Sequence, residues 1–375
     1  MMSIYFPVLK AKNGEFTALT NLPRTVSQRI HPIFEVAPLS EQDLKAKKRR
    51  TAVAPHRDNL NQVVANILQV RKGLPVSVDI SRWRPNARVE GGEHVLQYVV
   101  QGLAEGGAMV CPVIGFDRWD DPEYQAAIAN ITLQKGCFFI IRIDKTSLDD
   151  IKDEEFLEDQ LASIFETTGL APNRFAIMLD MGDVTGSSVN DIQSQAEDAL
   201  ERLSDQGFLF HFMTGASLPP SIQLAVSDVN SEGHVLRMEL IAWKALTQSA
   251  LGRNLRFGDY GVRNPAASDH PSPHTNGKIR YTSGHNHFIA RGHSMQWEDK
   301  GAQYHGLAAK VIASKHFKGS GYSWGDDRII ACAQGEFRGS TTDWIAIDTN
   351  HHIVAVVAEV TVHTAPTKAG TGSKV

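Results

Sequence analysis

Charged residues recur at one kind of place in this chain, the last residue or two of a short apolar run. Tyr5-Phe-Pro-Val-Leu-Lys10 ends on Lys10, with Lys12 just beyond. Pro32-Ile-Phe-Glu35 ends on Glu35, and Pro75-Val-Ser-Val-Asp79 on Asp79, with Arg82 following. Phe138-Phe-Ile-Ile-Arg-Ile-Asp144 carries Arg142 and Asp144. Phe175-Ala-Ile-Met-Leu-Asp180 ends on Asp180, Phe208–Thr214 holds His211 and Thr214, and Leu255-Arg-Phe-Gly-Asp259 ends on Asp259. A charge at the end of an apolar strand is costly to desolvate unless it is paired or ligating. If these ends share one rim, acids and cations distant in sequence share one pocket.

Two chemistries suit such a pocket. In the first, Glu35, Asp79, Asp144 and Asp180 hold a divalent cation, Mg2+ or Mn2+, through hard oxygen ligands. Metal-bound water then attacks a phosphoester while Lys10 and Arg142 neutralise the phosphate. In the second, two acids of different pKa exchange protons without a metal, helped by Lys10 or His211. Lys12, Arg82, Thr214 and Asp259 complete the pocket as substrate contacts in either case. A third reading has these charges pairing with one another as a structural network.

The elements that must position these residues follow from periodicity. The seven runs above, with Met109-Val-Cys-Pro-Val-Ile114, make eight strands. Between them lie segments of helical spacing: Leu60 to Leu68, Val95 to Leu103, Phe156 to Phe165, Ile192 to Leu203 and Leu236 to Leu246. The first connection, Phe16 to Ile30, holds one or two turns. Strands alternating with helices imply crossover units and a parallel sheet. The number and span of the units match a (β/α)8 barrel over residues 1–265, whose chemistry sits at the strands' C-terminal ends. The rival, an open doubly wound sheet, lacks support. No Gly-x-Gly-x-x-Gly follows the first strand, and no P-loop pattern is present.

From Ala266 the texture changes to a Pro-, Ser- and His-containing linker, then to a smaller α+β cap or domain over 266–362. It carries strand candidates at Lys278–Thr282 and His287–Arg291 and a helix at Gln303–His316. Trp324, Asp326, Asp327, Trp344, Asn350 and His351 could close over the barrel mouth as a lid. His285, His287, His351 and His352 could bind zinc, although no cysteine pair accompanies them. Residues 363–375 are small and polar and read as a disordered tail.

Composition narrows the classes. The net charge of -4 argues against a wholesale nucleic-acid surface. Lys45-Ala-Lys-Lys-Arg-Arg50 is the one dense basic run, and it reads as a solvated surface or a local phosphate contact. No cationic segment leads into an apolar one at the start, and no apolar run approaches a membrane span of about 20 residues. Cys111, Cys137 and Cys332 are widely spaced and read as buried, reduced thiols of a cytoplasmic protein.

Phe6-Pro-Val-Leu-Lys-Ala-Lys-Asn-Gly-Glu-Phe16, Arg256-Phe-Gly-Asp-Tyr-Gly261, Lys278-Ile-Arg-Tyr281, Tyr322-Ser-Trp-Gly-Asp326 and Thr349-Asn-His-His352 together resemble the phage-associated beta protein family. The resemblance covers most of the chain. It implies a role in phage–host conflict, as antiviral defence or its counter, and carries no catalytic assignment. The expectation is therefore a barrel acting on a phosphorylated or nucleotide-like substrate, as a hydrolase or as a recognition module for a phage or host protein or nucleic acid.

Overall fold

The computed structural model describes residues 3–47, 49–268 and 275–365. Lys48 of the basic run, the linker histidines His270 and His274, and the tail from residue 366 lie outside the described residues. Seven parallel strands follow one another: β1 (Tyr5–Lys10), β2 (Ile33–Glu35), β3 (Pro75–Asp79), β4 (Met109–Gly115), β5 (Phe139–Ile143), β6 (Phe175–Asp183) and β7 (Phe210–Ala216). A short β8 (Glu232–Leu236) then leaves this sheet, and β9 (Arg256–Asp259) returns to it. β9 pairs with both β7 and β1, so the sheet closes into an eight-stranded barrel. Each expected strand is present to within a few residues.

Alternation along the strands decides what fills the barrel. Phe6, Val8, Ile33, Val113, Ile140, Met178 and Phe212 form an inner cluster. Their neighbours Tyr5, Leu9, Phe34, Ile141, Ile177 and Met213 face outward, into the larger core beneath the helices. Above the apolar inner layer, the same alternation turns Lys10, Glu35, Asp79, Arg142 and Asp180 inward. The register places Lys10, Glu35 and Asp79 side by side on three adjacent strands.

The remaining chain builds on the barrel. Strands β10 (Asn276–Ser283) and β11 (Asn286–Ser294) form an antiparallel hairpin. The third strand of their sheet is β8, supplied from the loop after β7. Sequence periodicity assigned Leu236 to the following helix; instead it ends β8, and the helix runs from Met238 to Leu246. Helices Gln303–Ala313 and Trp324–Ala333 pack on the hairpin through Tyr281, Phe288, Leu307, Val311 and Ile329. The apolar stretch Ile353–Val360 and the preceding Asn350-His-His352 belong to one helix, Thr341–His363.

That helix opens with a capping box in which Ser340 and Asp343 satisfy each other's backbone N–H groups. It serves two cores at once. Trp344 and Ile347 enter the core of the C-terminal sheet, while Ile353, Val356, Val357 and Val360 enter the barrel's outer core. It lies along the first helix, Asn13–Thr20. By length and composition it could cross a membrane, but 72% of its apolar window is buried within the protein. The segment 266–362 thus contributes a helix to the barrel's outer layer as well as two strands to a sheet whose third strand, β8, comes from within the barrel sequence.

Candidate functional site

Arg142 is the centre of the barrel's upper layer, and all five of its N–H groups are engaged. Nε donates to Asp180 Oδ2 at 2.9 Å. Nη1 donates to Glu35 Oε1 at 3.2 Å and to Asp79 Oδ2 at 2.5 Å. Nη2 donates to the Tyr260 hydroxyl at 2.8 Å and reaches Asp180 Oδ2 at 2.7 Å. The Tyr260 hydroxyl in turn donates to Asp180, which also accepts from Thr214 Oγ1 at 3.1 Å and from the backbone N–H of Gly182 at 3.0 Å. Asp79 accepts from Arg118 Nη2 at 3.0 Å and from Ser81 N at 2.9 Å.

Arg142, Glu35, Asp79, Asp180, Arg118, Thr214 and Tyr260 are all buried. Burial alone would raise the Asp79 carboxyl, yet Arg118 and Arg142 hold it below its usual range. Burial likewise works against the Arg142 charge, but Tyr260, Asp180, Asp79 and Glu35 keep it protonated far above any physiological pH. Tyr260 is pushed well up by burial, which the Arg142 guanidinium only partly offsets, so its hydroxyl stays a donor to Asp180.

Two members of this network were not legible as candidates. Arg118 lies just past β4, in the turn Phe116–Arg118. A side chain at Gly115 would collide with its guanidinium, so the glycine is what lets Arg118 fold back over the strand end to Asp79. Tyr260 lies one residue beyond β9. The alternation Gly258, Tyr260 faces inward and Phe257, Asp259 outward, the reverse of the assumption that put Asp259 at the mouth.

Asp259 instead sits between the barrel and the last helix. The Tyr5 hydroxyl donates to it, and His352 Nε2 lies 3.0 Å from Oδ2. His211 also faces outward, against Phe208, where burial lowers its basicity. Asp144 lies past the end of β5 and accepts from the backbone N–H of Ser147 at 2.9 Å. Asn350 and His351 are in the interior of the C-terminal part, not at the mouth. Asn350 donates to Ala18 O at 2.9 Å. His351 bridges Asp326 Oδ2 and Thr282 O, both at 2.8 Å, and Tyr281 stacks on its ring. Trp324 packs beside that core. The expected lid of Trp324, Asn350 and His351 is therefore a folding core; Trp344 alone of that group's aromatics borders the mouth.

The metal reading meets a geometric objection. The point where Glu35, Asp79 and Asp180 converge holds the Arg142 guanidinium, and Asp144 does not join them. Among the described residues no three His, Cys, Asp or Glu side chains are grouped to hold a metal ion, which covers His285, His287, His351 and His352 as well. The donor set as arranged fits an arginine rather than a divalent cation.

Above this layer a cleft of about 980 Å3 opens between the barrel rim and the C-terminal sheet. Its walls carry Lys10, Lys12, Arg49, Arg82, Arg263, Lys278 and Arg280, against only Glu15, Glu35 and Asp43. Lys10 donates to Ala267 O at 3.1 Å, and Arg82 to Pro265 O at 3.3 Å. Arg49, from the basic run, turns into this cleft and lies 3.8 Å from Asp43, whereas Lys45 pairs with Glu41 on the surface. Tyr304 and Trp344, stacked with centroids 4.6 Å apart, supply an aromatic wall. A chain of net charge -4 thus gathers a marked cationic excess at its barrel mouth.

The model of the Beta protein family matches residues 5–358. This chain belongs to the Beta protein family. No curated protein matches it. Within the family's motif stretches the structural roles are now visible. Arg256–Gly261 supplies Tyr260 inward and Asp259 outward, and Lys278–Tyr281 forms a cleft wall. Tyr322–Asp326 and Thr349–His352 meet through the Asp326–His351 pair.

Proposed function

We propose that this protein recognises a phosphorylated, nucleotide-like ligand at the barrel mouth, and that this recognition serves phage–host conflict. The observation that carries the reading is the excess of cationic over acidic side chains lining the cleft. Ammonium and guanidinium groups arranged around an open cleft, with an aromatic wall beside them, suit a phosphate joined to a flat base. The phage association rests on the family.

The carboxylates below the cleft form a floor that holds Arg142 and Arg118. Glu35 is the one member of the Arg142 network that also lines the cleft, beside Lys10. Should the ligand be a substrate, Glu35 would act as the proton acceptor and Lys10 would neutralise the phosphate, without a metal. Binding of nucleoside mono-, di- and triphosphates, followed by calorimetry, tests the reading. Affinity is expected to fall with added salt and to drop about tenfold in Lys10→Met, the loss of one charge-assisted contact. Failure of every such ligand to bind, or binding indifferent to both salt and Lys10, would rule it out.

A further inference from the structure

Lys278 and Arg280 lie two residues apart on β10 and so share a face. Both line the mouth cleft, with Arg263 from the segment after β9 beside them. Arg280 is rigidly held. Its backbone N–H and its Nε both donate to Asp348 Oδ2, at 3.1 and 2.8 Å, and its Nη1 donates to Val262 O at 2.7 Å. Its Nη2 makes no hydrogen bond among the described residues. Arg263 reaches Glu15 Oε1 at 3.4 Å.

Lys278 is different. Its backbone N–H donates to the Tyr304 hydroxyl, but among the described residues its ammonium has neither a hydrogen bond nor an ion pair. A half-buried ammonium with three unused donors, next to two guanidiniums, costs the fold stability that an incoming anion would return. Lys10, in contrast, belongs to β1, across the cleft on the barrel rim.

We propose that Lys278, with Arg280 and Arg263, forms a second anion seat in the cleft, opposite the one at Lys10. The ligand class is then a molecule with two or more linked phosphates, such as a nucleoside diphosphate or a longer phosphate chain. This rests on the mouth being a phosphate site and adds how many phosphates it takes. Burial, aided by Arg280, pushes the Lys278 ammonium down to about 8. An anion seated on it restores the charge, so binding takes up a proton near that pH. Arg280, Arg263, Asp348 and Tyr304 are the groups that face Lys278. Burial raises Asp348, which Arg280 opposes, only to about 6, and raises Tyr304 to about 12, so neither titrates between pH 7 and 9.

The test uses the full chain titrated with inorganic phosphate and with pyrophosphate at pH 7 and pH 9, alongside Lys278→Met and Lys278→Arg. Pyrophosphate is expected to bind about tenfold tighter than phosphate, one further charge-assisted contact. Lys278→Met should remove that advantage while leaving phosphate affinity within about twofold. Lys278→Arg should retain the advantage at both pH values. In the wild type it should shrink at pH 9, although the charge on pyrophosphate does not fall over that range. If phosphate binds but pyrophosphate binds no tighter, or Lys278→Met leaves the two affinities unchanged, the second seat is refuted and the mouth site stands. If neither anion binds, both proposals fall together.

Discussion

Replacing Arg142 by methionine is the sharpest probe of how the barrel mouth is held together. The substitution keeps the stem of the side chain and removes the guanidinium. Five N–H contacts disappear, to Glu35, Asp79, Asp180 and Tyr260, and three buried carboxylates lose their shared cation. Breaking a buried ion pair by deleting one partner costs roughly 3–5 kcal/mol, because the other charge is left in a low-dielectric surrounding. Arg118 still faces Asp79, so that carboxylate keeps one counter-ion and the loss is not tripled. A total of about 4 kcal/mol is expected at pH 7. Urea unfolding at pH 7 and pH 5 measures it. The stranded carboxylates should take up protons more readily in the variant, so its deficit against the wild type should narrow at pH 5. Mg2+ or Ca2+ at millimolar concentration should raise the variant's midpoint more than the wild type's, since oxygen ligands now surround an empty position. A loss below about 1 kcal/mol, within the range of an exposed ion pair, would refute the view that Arg142 is the internal counter-ion.

Three further outcomes follow from the same geometry. Burial lifts the Glu239 carboxyl to about 7 against the pull of Arg237 and Ser217, above its ordinary 4.5. The stability tied to its protonated form is present below pH 4.5 and is lost as pH rises through 7, by about 3 kcal/mol at 1.36 kcal/mol per unit. Glu239→Gln should therefore gain on the wild type between pH 5 and pH 8 in unfolding midpoint, and parallel curves would contradict this. Asp326→Asn removes the carboxylate facing fully buried His351, whose other ring nitrogen already meets Thr282 O, and should cost roughly 3 kcal/mol in thermal or urea unfolding. A side chain on Gly258 would meet Thr214 Cγ2 at 2.5 Å and Phe6 O at 2.6 Å, so Gly258→Ala should cost about 1–3 kcal/mol in unfolding free energy.

The fold was legible because each strand ends an apolar run and each helix has its own apolar face, local signals that tertiary packing did not override. The site was legible where parity within one strand sufficed: Lys10, Glu35, Asp79, Arg142 and Asp180 all turn inward. It failed where the decisive residue lay past a strand end. Asp259 and Tyr260 are adjacent, and nothing local says which of them faces the lumen. Arg118 reaches Asp79 only because Gly115 leaves room, a relation between two side chains that spacing does not encode. The acids were legible as a set, and their pairing with Arg142 as one reading of that set, but spacing could not choose it over a metal, because a buried arginine and a metal ion ask for the same ligands. Asn350 and His351 misled for a related reason: polar residues inside a long helix resemble a site until the helix is seen to be buried on most of its circumference.

The last helix, Thr341–His363, lies along the first, Asn13–Thr20, and covers part of the strand layer that the opening residues begin. The N-terminal segment therefore emerges from the ribosome long before its cover is made. β9 can close the cylinder once residue 259 is made, but the cover over its first strand needs residues 341–363. Nascent chains released before residue 341 should remain sensitive to protease throughout the barrel, and a stop codon there should remove the whole protein from the soluble fraction rather than yield a smaller barrel.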